Sequence, residues 1–397
     1  MRIEGWLAAG ALSLIAAPAL AQTIQLKPAV RLEVQGDDNV FRSSGGVVPR
    51  EADLLTTVGA GGKLTLSESL QSLELRGEVA HTDYLRLDEL DYDQYQVGAQ
   101  LKLALASLLQ LRVDASRERR QENFAFRDDT ENGLITVDKG TAELRLRVTP
   151  SWTGIALGER YQTRTSREQS RDADLTEDSM ELGTEYRLTG YSSFGLAWRQ
   201  SEGDYPNRVV VAGDGREKTY DQQNLIVRAG YRPSGLSDLT AQLAYTQRTH
   251  EDPAVRDFRG ITGRAGYTRT FSGISRLQAE IYRDLFYVED INANYVENLG
   301  LKGLYEYRWS AKLSLIGSTE LFRSSYQGSP SQNAQGTPRS DVVFGLSLGA
   351  DYRPFYRFSL RPELRHEQRG SNTANGGYHF TTAGVDLVYE YGLANTR

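Results

Sequence analysis

The chain has 397 residues, and its 46 basic and 52 acidic side chains leave a net charge of −6. This near balance lacks the basic footprint of a nucleic-acid-binding protein, so we expect no nucleic-acid partner. The absence of cysteine excludes a disulfide framework, thiol catalysis and a cysteine-ligated metal. The mean hydropathy of −0.50 fits a soluble protein, but it also fits a transmembrane β-barrel, in which only alternate residues face lipid.

Residues 1–21 have the features of a cleaved signal peptide. Arg2 supplies a weak positive charge, Trp6 to Ala17 form an apolar segment, and Ala19-Leu20-Ala21 is a small-x-small cleavage site. We therefore expect Sec-type export, cleavage near Ala21, and a mature chain of residues 22–397 that forms one domain. The apolar segment is too short to remain as a transmembrane helix.

The mature chain repeats one strand pattern along its whole length. Ile24 to Val34 alternates first, Asp53 to Leu66 follows a polar loop, and Phe380 to Tyr391 comes last. The clearest example is Tyr295 to Trp309, where apolar and aromatic residues occupy one parity and mostly polar residues the other. Because side chains alternate across a strand, this pattern predicts strands with one lipid-facing and one polar face.

The connections between these segments alternate between short and long. Outer-membrane barrels have short periplasmic turns and longer external loops, with aromatic rings at the membrane interfaces. The sequence therefore predicts an all-β fold, a transmembrane antiparallel up-and-down β-barrel of about 18 strands, or about 16, in the bacterial outer membrane. A soluble periplasmic β-solenoid or sandwich explains the alternation, but not the aromatic rings at the short-turn ends. These rings are Trp152, Tyr191, Tyr231, Phe271, Trp309, Phe355 and Tyr391.

The polar parity of the strands gives the candidate lumen residues. One interpretation is cross-strand salt bridges, which the mixture of both charge signs favours; the other is a selectivity lining or substrate path. The densest basic group, on strands Thr141–Val148 and Ile155–Arg164, is a candidate site for anionic substrates unless Glu185 on the next strand neutralises it. The candidates are Arg145, Arg147, Arg160, Arg164, Arg187, Arg228, Arg264, Lys302, Glu306, Arg308, Arg361 and Arg365.

Catalysis and metal binding have little support in the sequence. His250 stands beside Glu251 and Asp252, but nothing fixes a nucleophile for them. The acidic pair Asp128-Asp129 lacks the ligand spacing of a calcium loop. We therefore expect a protein without catalytic residues, metal or cofactor.

A short motif after the first strand points to a family. Asp38-Asn39-Val40-Phe41-Arg42 resembles a motif of EpsL-type outer-membrane β-barrels, which belong to the β-barrel porin 2 group and are encoded with exopolysaccharide biosynthesis genes. The resemblance implies polysaccharide as a cargo and periplasmic export machinery as a partner, besides outer-membrane lipid. It supplies no catalytic residues. The chain departs from outer-membrane proteins in general because Gly392 to Arg397 follow the last predicted strand.

Three functions remain open at the level of sequence. The first is a non-catalytic, porin-like barrel for exopolysaccharide export. The second is a general diffusion porin. The third is an outer-membrane enzyme with a rim site near His250.

Overall fold

The architecture comes from a computed structural model, in which residues 23–105, 108–127, 129–189, 191–210, 217–251, 257–286, 294–327, 338–374 and 376–396 are described. The predicted signal peptide lies outside these residues. Within them, no helix is both long and apolar enough to cross a membrane.

Nearly all regular structure in the described residues is β-strand. Three short 3-10 helices, Asp88–Leu90, Phe124–Phe126 and Glu168–Ala173, lie in the connections. The strands are β1 (Thr23–Asp37), β2 (Asp53–Glu68), β3 (Gln71–Tyr84), β4 (Tyr92–Leu105), β5 (Leu109–Gln121), β6 (Leu134–Arg147), β7 (Trp152–Thr165), β8 (Thr176–Thr189), β9 (Ser192–Asp204), β10 (Thr219–Ser234), β11 (Ser237–Thr249), β12 (Phe258–Phe271), β13 (Ser275–Phe286), β14 (Tyr295–Arg308), β15 (Leu313–Gln327), β16 (Ser340–Phe355), β17 (Phe358–Ser371), β18 (Tyr378–Glu390) and β19 (Leu393–Thr396).

The strands β1 to β18 form one closed antiparallel barrel. Each strand pairs with its neighbours in the sequence, and β1 pairs with both β2 and β18. Closure leaves no free sheet edge, so every backbone group of the wall can be satisfied inside a bilayer. The predicted up-and-down barrel of about 18 strands is confirmed.

The end of the chain differs from the expected free tail. β18 pairs with β1 only from Ala29 onward, and β19 pairs with Thr23–Leu26, the part of β1 that extends beyond this pairing. The backbone groups of Thr23–Leu26 would otherwise lack a partner on this side. Residues 393–396 therefore continue the wall instead of hanging from it.

The two ends of the barrel carry different connections. At one end the connections have two to four residues, and at the other they have six to fifteen. We call these the short-turn end and the long-loop end. All seven aromatic rings predicted at the short-turn end are exposed on the wall, including Trp152 at 45%, Tyr231 at 53% and Trp309 at 65%. The ring belt and the alternation of short and long connections are thus confirmed.

Candidate functional site in the barrel lumen

The lumen face of the wall carries charges of both signs, many of them paired between strands. Directly opposed residues share a face, so the exposed apolar residues of each strand identify its outer face and, by exclusion, its lumen face. Arg228 on β10 contacts Glu181 on β8 at 2.6 Å, and Lys302 on β14 contacts Glu320 on β15 at 3.1 Å. These contacts support the salt-bridge interpretation of the mixed charges.

Most of the predicted lumen residues lie on this face. On the same strands, the residues at alternate positions are apolar and face outward. Examples are Leu225 on β10 and Leu301 on β14, which are 58% and 52% exposed. Whether these residues line a substrate path stays a prediction. The residues on the lumen face are Arg145, Arg147, Arg187, Arg228, Arg264, Lys302, Glu306, Arg308, Arg361 and Arg365.

The prediction was wrong for Arg160 and Arg164, which lie on the outer wall. β6 and β7 pair with Leu146 opposite Gly154 and Arg145 opposite Ile155. Since Leu146 is outward and 48% exposed, the even positions of β7 face outward and the odd positions face the lumen. The alternation misled because this strand inverts it: small residues face lipid, and larger apolar residues face the lumen.

Arg145 is neutralised within the lumen. Its guanidinium contacts Glu143 on the same strand at 3.2 Å and Glu185 on β8 at 2.6 Å. The proposed four-arginine anion site is therefore not assembled, because two members are outside and one is paired.

Positive charge remains at the short-turn end of the lumen. Arg147 and Arg308 are the last residues of β6 and β14, and Arg187 lies close to the end of β8. Within the described part of the chain, none of the three makes an ion pair. Guanidinium groups stay charged at any physiological pH, so this end of the lumen carries three positive charges that have no ion-pair partner among the described residues.

A cavity of about 580 Å³ lies on the lumen side of strands β11 to β17. Polar and apolar groups share its lining, and the polar ones offer both donors and acceptors to a small polar solute. The charged residues on the lining are Asp238, Glu280, Lys302, Glu320, Glu363, Arg365 and Glu367.

The motif Asp38–Arg42 ties the first loop to the barrel seam at the long-loop end. Asn39 is fully buried, and its Nδ2 donates to the carbonyl oxygens of Ser43 and His379, each at 2.8 Å. Arg42 forms a two-point contact with Asp37 and stacks 3.6 Å over the ring of Phe380. Backbone φ at Arg42 is +53°, so the loop makes a tight reversal here. The motif thus fixes loop conformation.

Apolar residues of several loops pack against one another above the lumen. Phe41 meets Phe124 edge-on at 5.2 Å, and both are buried with Leu90. The loop between β5 and β6 also contacts β17, where Arg369 donates to the carbonyl oxygen of Ala125. Sequence analysis missed this packing, although the triplet Phe124-Ala125-Phe126 inside a charged loop was a signal for it. The described loops therefore narrow the long-loop end.

A buried charge cluster strengthens the same loops. Arg127 and Arg167 contact Glu122 at 3.3 and 3.4 Å and Asp129 at 2.7 Å each. Burial raises the pKa of Glu122, while both guanidiniums counteract the rise. Removing one partner would leave an uncompensated buried charge, which is strongly destabilising.

His250 is buried at the same end and does not form an exposed rim site. Its ring is stacked on Tyr295, and its Nδ1 lies 3.6 Å from an oxygen of Asp257. Burial lowers the pKa of His250, and nearby Arg248 lowers it further. Asp252 lies outside the described residues, and among those described no group of three or more potential ligands could hold a metal ion.

Solved structures with the same fold include outer-membrane proteins of Pseudomonas aeruginosa. OccK2 (OpdF) in complex with glucuronate is 14% identical, with a TM-score of 0.51 over 93% of this chain and 98% of that one. OpdK with vanillate is 13% identical, with a TM-score of 0.50 over 93% and 99%. OccK9 (OpdG) is 14% identical, with a TM-score of 0.51 over 94% and 100%. At these identities the likeness shows the fold alone.

Comparison by sequence gives the family. No curated protein matches the chain. A family of outer-membrane porins, described as "Putative beta-barrel porin 2", matches residues 23–391, almost the whole of the described barrel. The chain belongs to this porin family, and its fold is that of an outer-membrane barrel.

Proposed function

We propose that the protein is a non-catalytic diffusion channel for small polar solutes in the outer membrane. The observation that carries this proposal is the charged, polar lumen cavity of about 580 Å³ beneath loops that pack over one end. A narrowed mouth admits small solutes and obstructs a wide polymer. Of the two porin functions open from the sequence, the comparisons favour diffusion over export.

Small organic anions are the solutes we expect to pass best. Arg147, Arg187 and Arg308 give the short-turn mouth unpaired positive charge within the described part of the chain. Further in, Lys302 and Arg365 line the cavity but are each paired with a glutamate, so the unpaired positive charge lies at the mouth. A guanidinium binds a carboxylate through two parallel hydrogen bonds. The related proteins OpdK and OccK2 were solved with vanillate and in complex with glucuronate, respectively, and both compounds carry a carboxylate.

Liposome swelling tests this function directly. Purified barrel is reconstituted in vesicles, and swelling is recorded with glucose, glucuronate and a long-chain dextran. We expect entry of both small solutes, with glucuronate the faster, and exclusion of dextran. A folded barrel that admits none of them would refute the diffusion channel.

Exopolysaccharide export is the second candidate, because of the resemblance carried by Asp38–Arg42. In this candidate the loops must move aside, and periplasmic export machinery supplies the polymer. The test is polysaccharide release by cells that lack the gene, with and without a plasmid-borne copy. Unchanged release in the deletion strain would remove this candidate.

A further inference from the structure

Four arginines cluster on the outer wall toward the long-loop end. Arg117 and Arg119 on β5 face outward, as do Arg160 and Arg164 on β7. Arg119 is opposite Thr136 of β6, and Thr136 is opposite Arg164. Neighbouring strands lie about 4.8 Å apart, so the Cα atoms of Arg119 and Arg164 are separated by about 10 Å. We call these four residues the wall arginine patch.

The patch keeps a net positive charge. Arg117 contacts Asp138 at 2.6 Å, and Arg160 lies 3.7 Å from Asp178. Arg164 donates instead to the neutral Gln162 at 2.7 Å. Neither Arg119 nor Arg164 has an ion pair with any carboxylate that the structure describes. Two guanidiniums are therefore available to an anion from outside.

The height of the patch matches a lipid headgroup. Arg160 is eight residues beyond the interface ring Trp152 on the same strand, which is about 26 Å along the strand and about 20 Å along the membrane normal at the usual tilt. The apolar band of an outer-membrane barrel is about 25 Å tall. Arg160 therefore lies just inside the edge of that band, and Arg164, four residues further along the strand, lies about 30 Å from the ring, at the headgroup level.

Toward the middle of the membrane from the patch, the outer wall is apolar and two of its positions are glycines without a protruding side chain. A Cβ atom at Gly140 or Gly158 would meet nothing within 4 Å, and Leu144 and Leu182 stand exposed beside them at 40% and 50%. Acyl chains can lie along such a shallow strip while the headgroup reaches the arginines.

We propose that the wall arginine patch binds an anionic lipid that carries more than one phosphate. Guanidinium forks match phosphate oxygens in pairs, and two separated free guanidiniums suit two phosphates of one headgroup. A charged side chain on the outer wall is costly at mid-bilayer and is stabilised at the anionic headgroup level. The acyl chains of the lipid then cover the outer surface of strands β5 to β7, where small residues leave few side chains to contact the membrane.

Native mass spectrometry of the purified full barrel tests the proposal. The lipid probes are bis-phosphorylated lipid A and the same glycolipid stripped of phosphate. The test variant is Arg119→Gln with Arg164→Gln. The matched control is Arg259→Gln with Arg323→Gln, which removes two exposed outer-wall arginines from β12 and β15, away from the patch. Both variants are first checked for folding by heat-dependent gel migration.

We expect wild type and the control to retain bis-phosphorylated lipid A, and the test variant to hold about tenfold less, as for the loss of charge-assisted hydrogen bonds. The stripped glycolipid should bind all three weakly and equally. Equal retention of the phosphorylated lipid by the test variant and the control would overturn the proposal. So would retention that does not depend on the phosphates.

Discussion

Arg145 on β6 and Glu185 on β8 form an ion pair of 2.6 Å across the intervening strand β7. The two strands are not adjacent, and β7 turns only the uncharged Ile155, opposite Arg145, and Thr153, opposite Glu185, toward the lumen between them. Charge on the lumen wall is thus organised by the register of β7. The same register sends Arg160 and Arg164 to the outer wall.

Ion selectivity should depend on which face an arginine occupies. Arg147→Gln with Arg187→Gln removes two unpaired charges from the lumen mouth and should shift the reversal potential in a salt gradient toward cation preference. Arg160→Gln with Arg164→Gln removes the same charge from the outer wall and should leave it unchanged. Equal shifts in the two variants would mean that β7 has the opposite parity.

Stability should follow the same register. Leu144 faces lipid and is 40% exposed, so Leu144→Arg should cost about 2–4 kcal/mol because it places a charge in the apolar band. Ile155 faces the lumen, so Ile155→Arg should cost much less. Urea unfolding of the reconstituted barrel, followed by tryptophan fluorescence, measures both. A larger cost at Ile155 would contradict the assignment.

The first loop should control the width of the long-loop end. Asn39→Ala removes the hydrogen bonds to Ser43 and His379, and truncating such a buried polar group leaves its partners unsatisfied. We expect larger and noisier single-channel conductance. Ser44→Ala, in the same loop and exposed, serves as the control and should behave like wild type. Unchanged conductance in Asn39→Ala would show that this loop does not limit the passage.

Acid should loosen the loop contacts around His250. Its pKa is lowered in the folded loop, mainly by burial, so the loop loses stability as pH falls below the ordinary histidine value of about 6.5. The charged groups around it are Arg248, Asp257 and Glu217. We expect open-channel noise to rise between about pH 7 and pH 5 in wild type, and not in His250→Gln. His379→Gln, on β18 at the barrel seam, should keep the wild-type response. A pH response that persists in His250→Gln would assign it to another group.

The barrel could be predicted from sequence because its period repeats along the chain. Lipid requires an apolar outer face on nearly every strand, so strand number, closure and the ring belt follow from alternation. β7 shows the limit of that logic. Its outward residues Gly154, Ala156 and Gly158 are less apolar than Ile155 and Leu157 in the lumen, so hydrophobicity assigns the wrong face, and only the pairing with β6 corrects it.

The loops could not be predicted because their contacts have no period. The contact between Ala125 and Arg369 joins residues 244 positions apart. The buried role of Asn39 depends on His379, at the other end of the chain. The motif Asp38–Arg42 was visible in the sequence, but its partners were not. Most of the lumen charges could be identified from the alternation of each strand. Their pairing could not, because it depends on which strands become neighbours.

Planar-bilayer recording with the purified, refolded barrel tests the central claim most directly. The claim is that a polar lumen passes small solutes through this wall. The account predicts stepwise insertions that conduct in potassium chloride, prefer anions, and are partly blocked by added glucuronate. Insertions of folded barrel that carry no current at any pH between about 5 and 8 would contradict it.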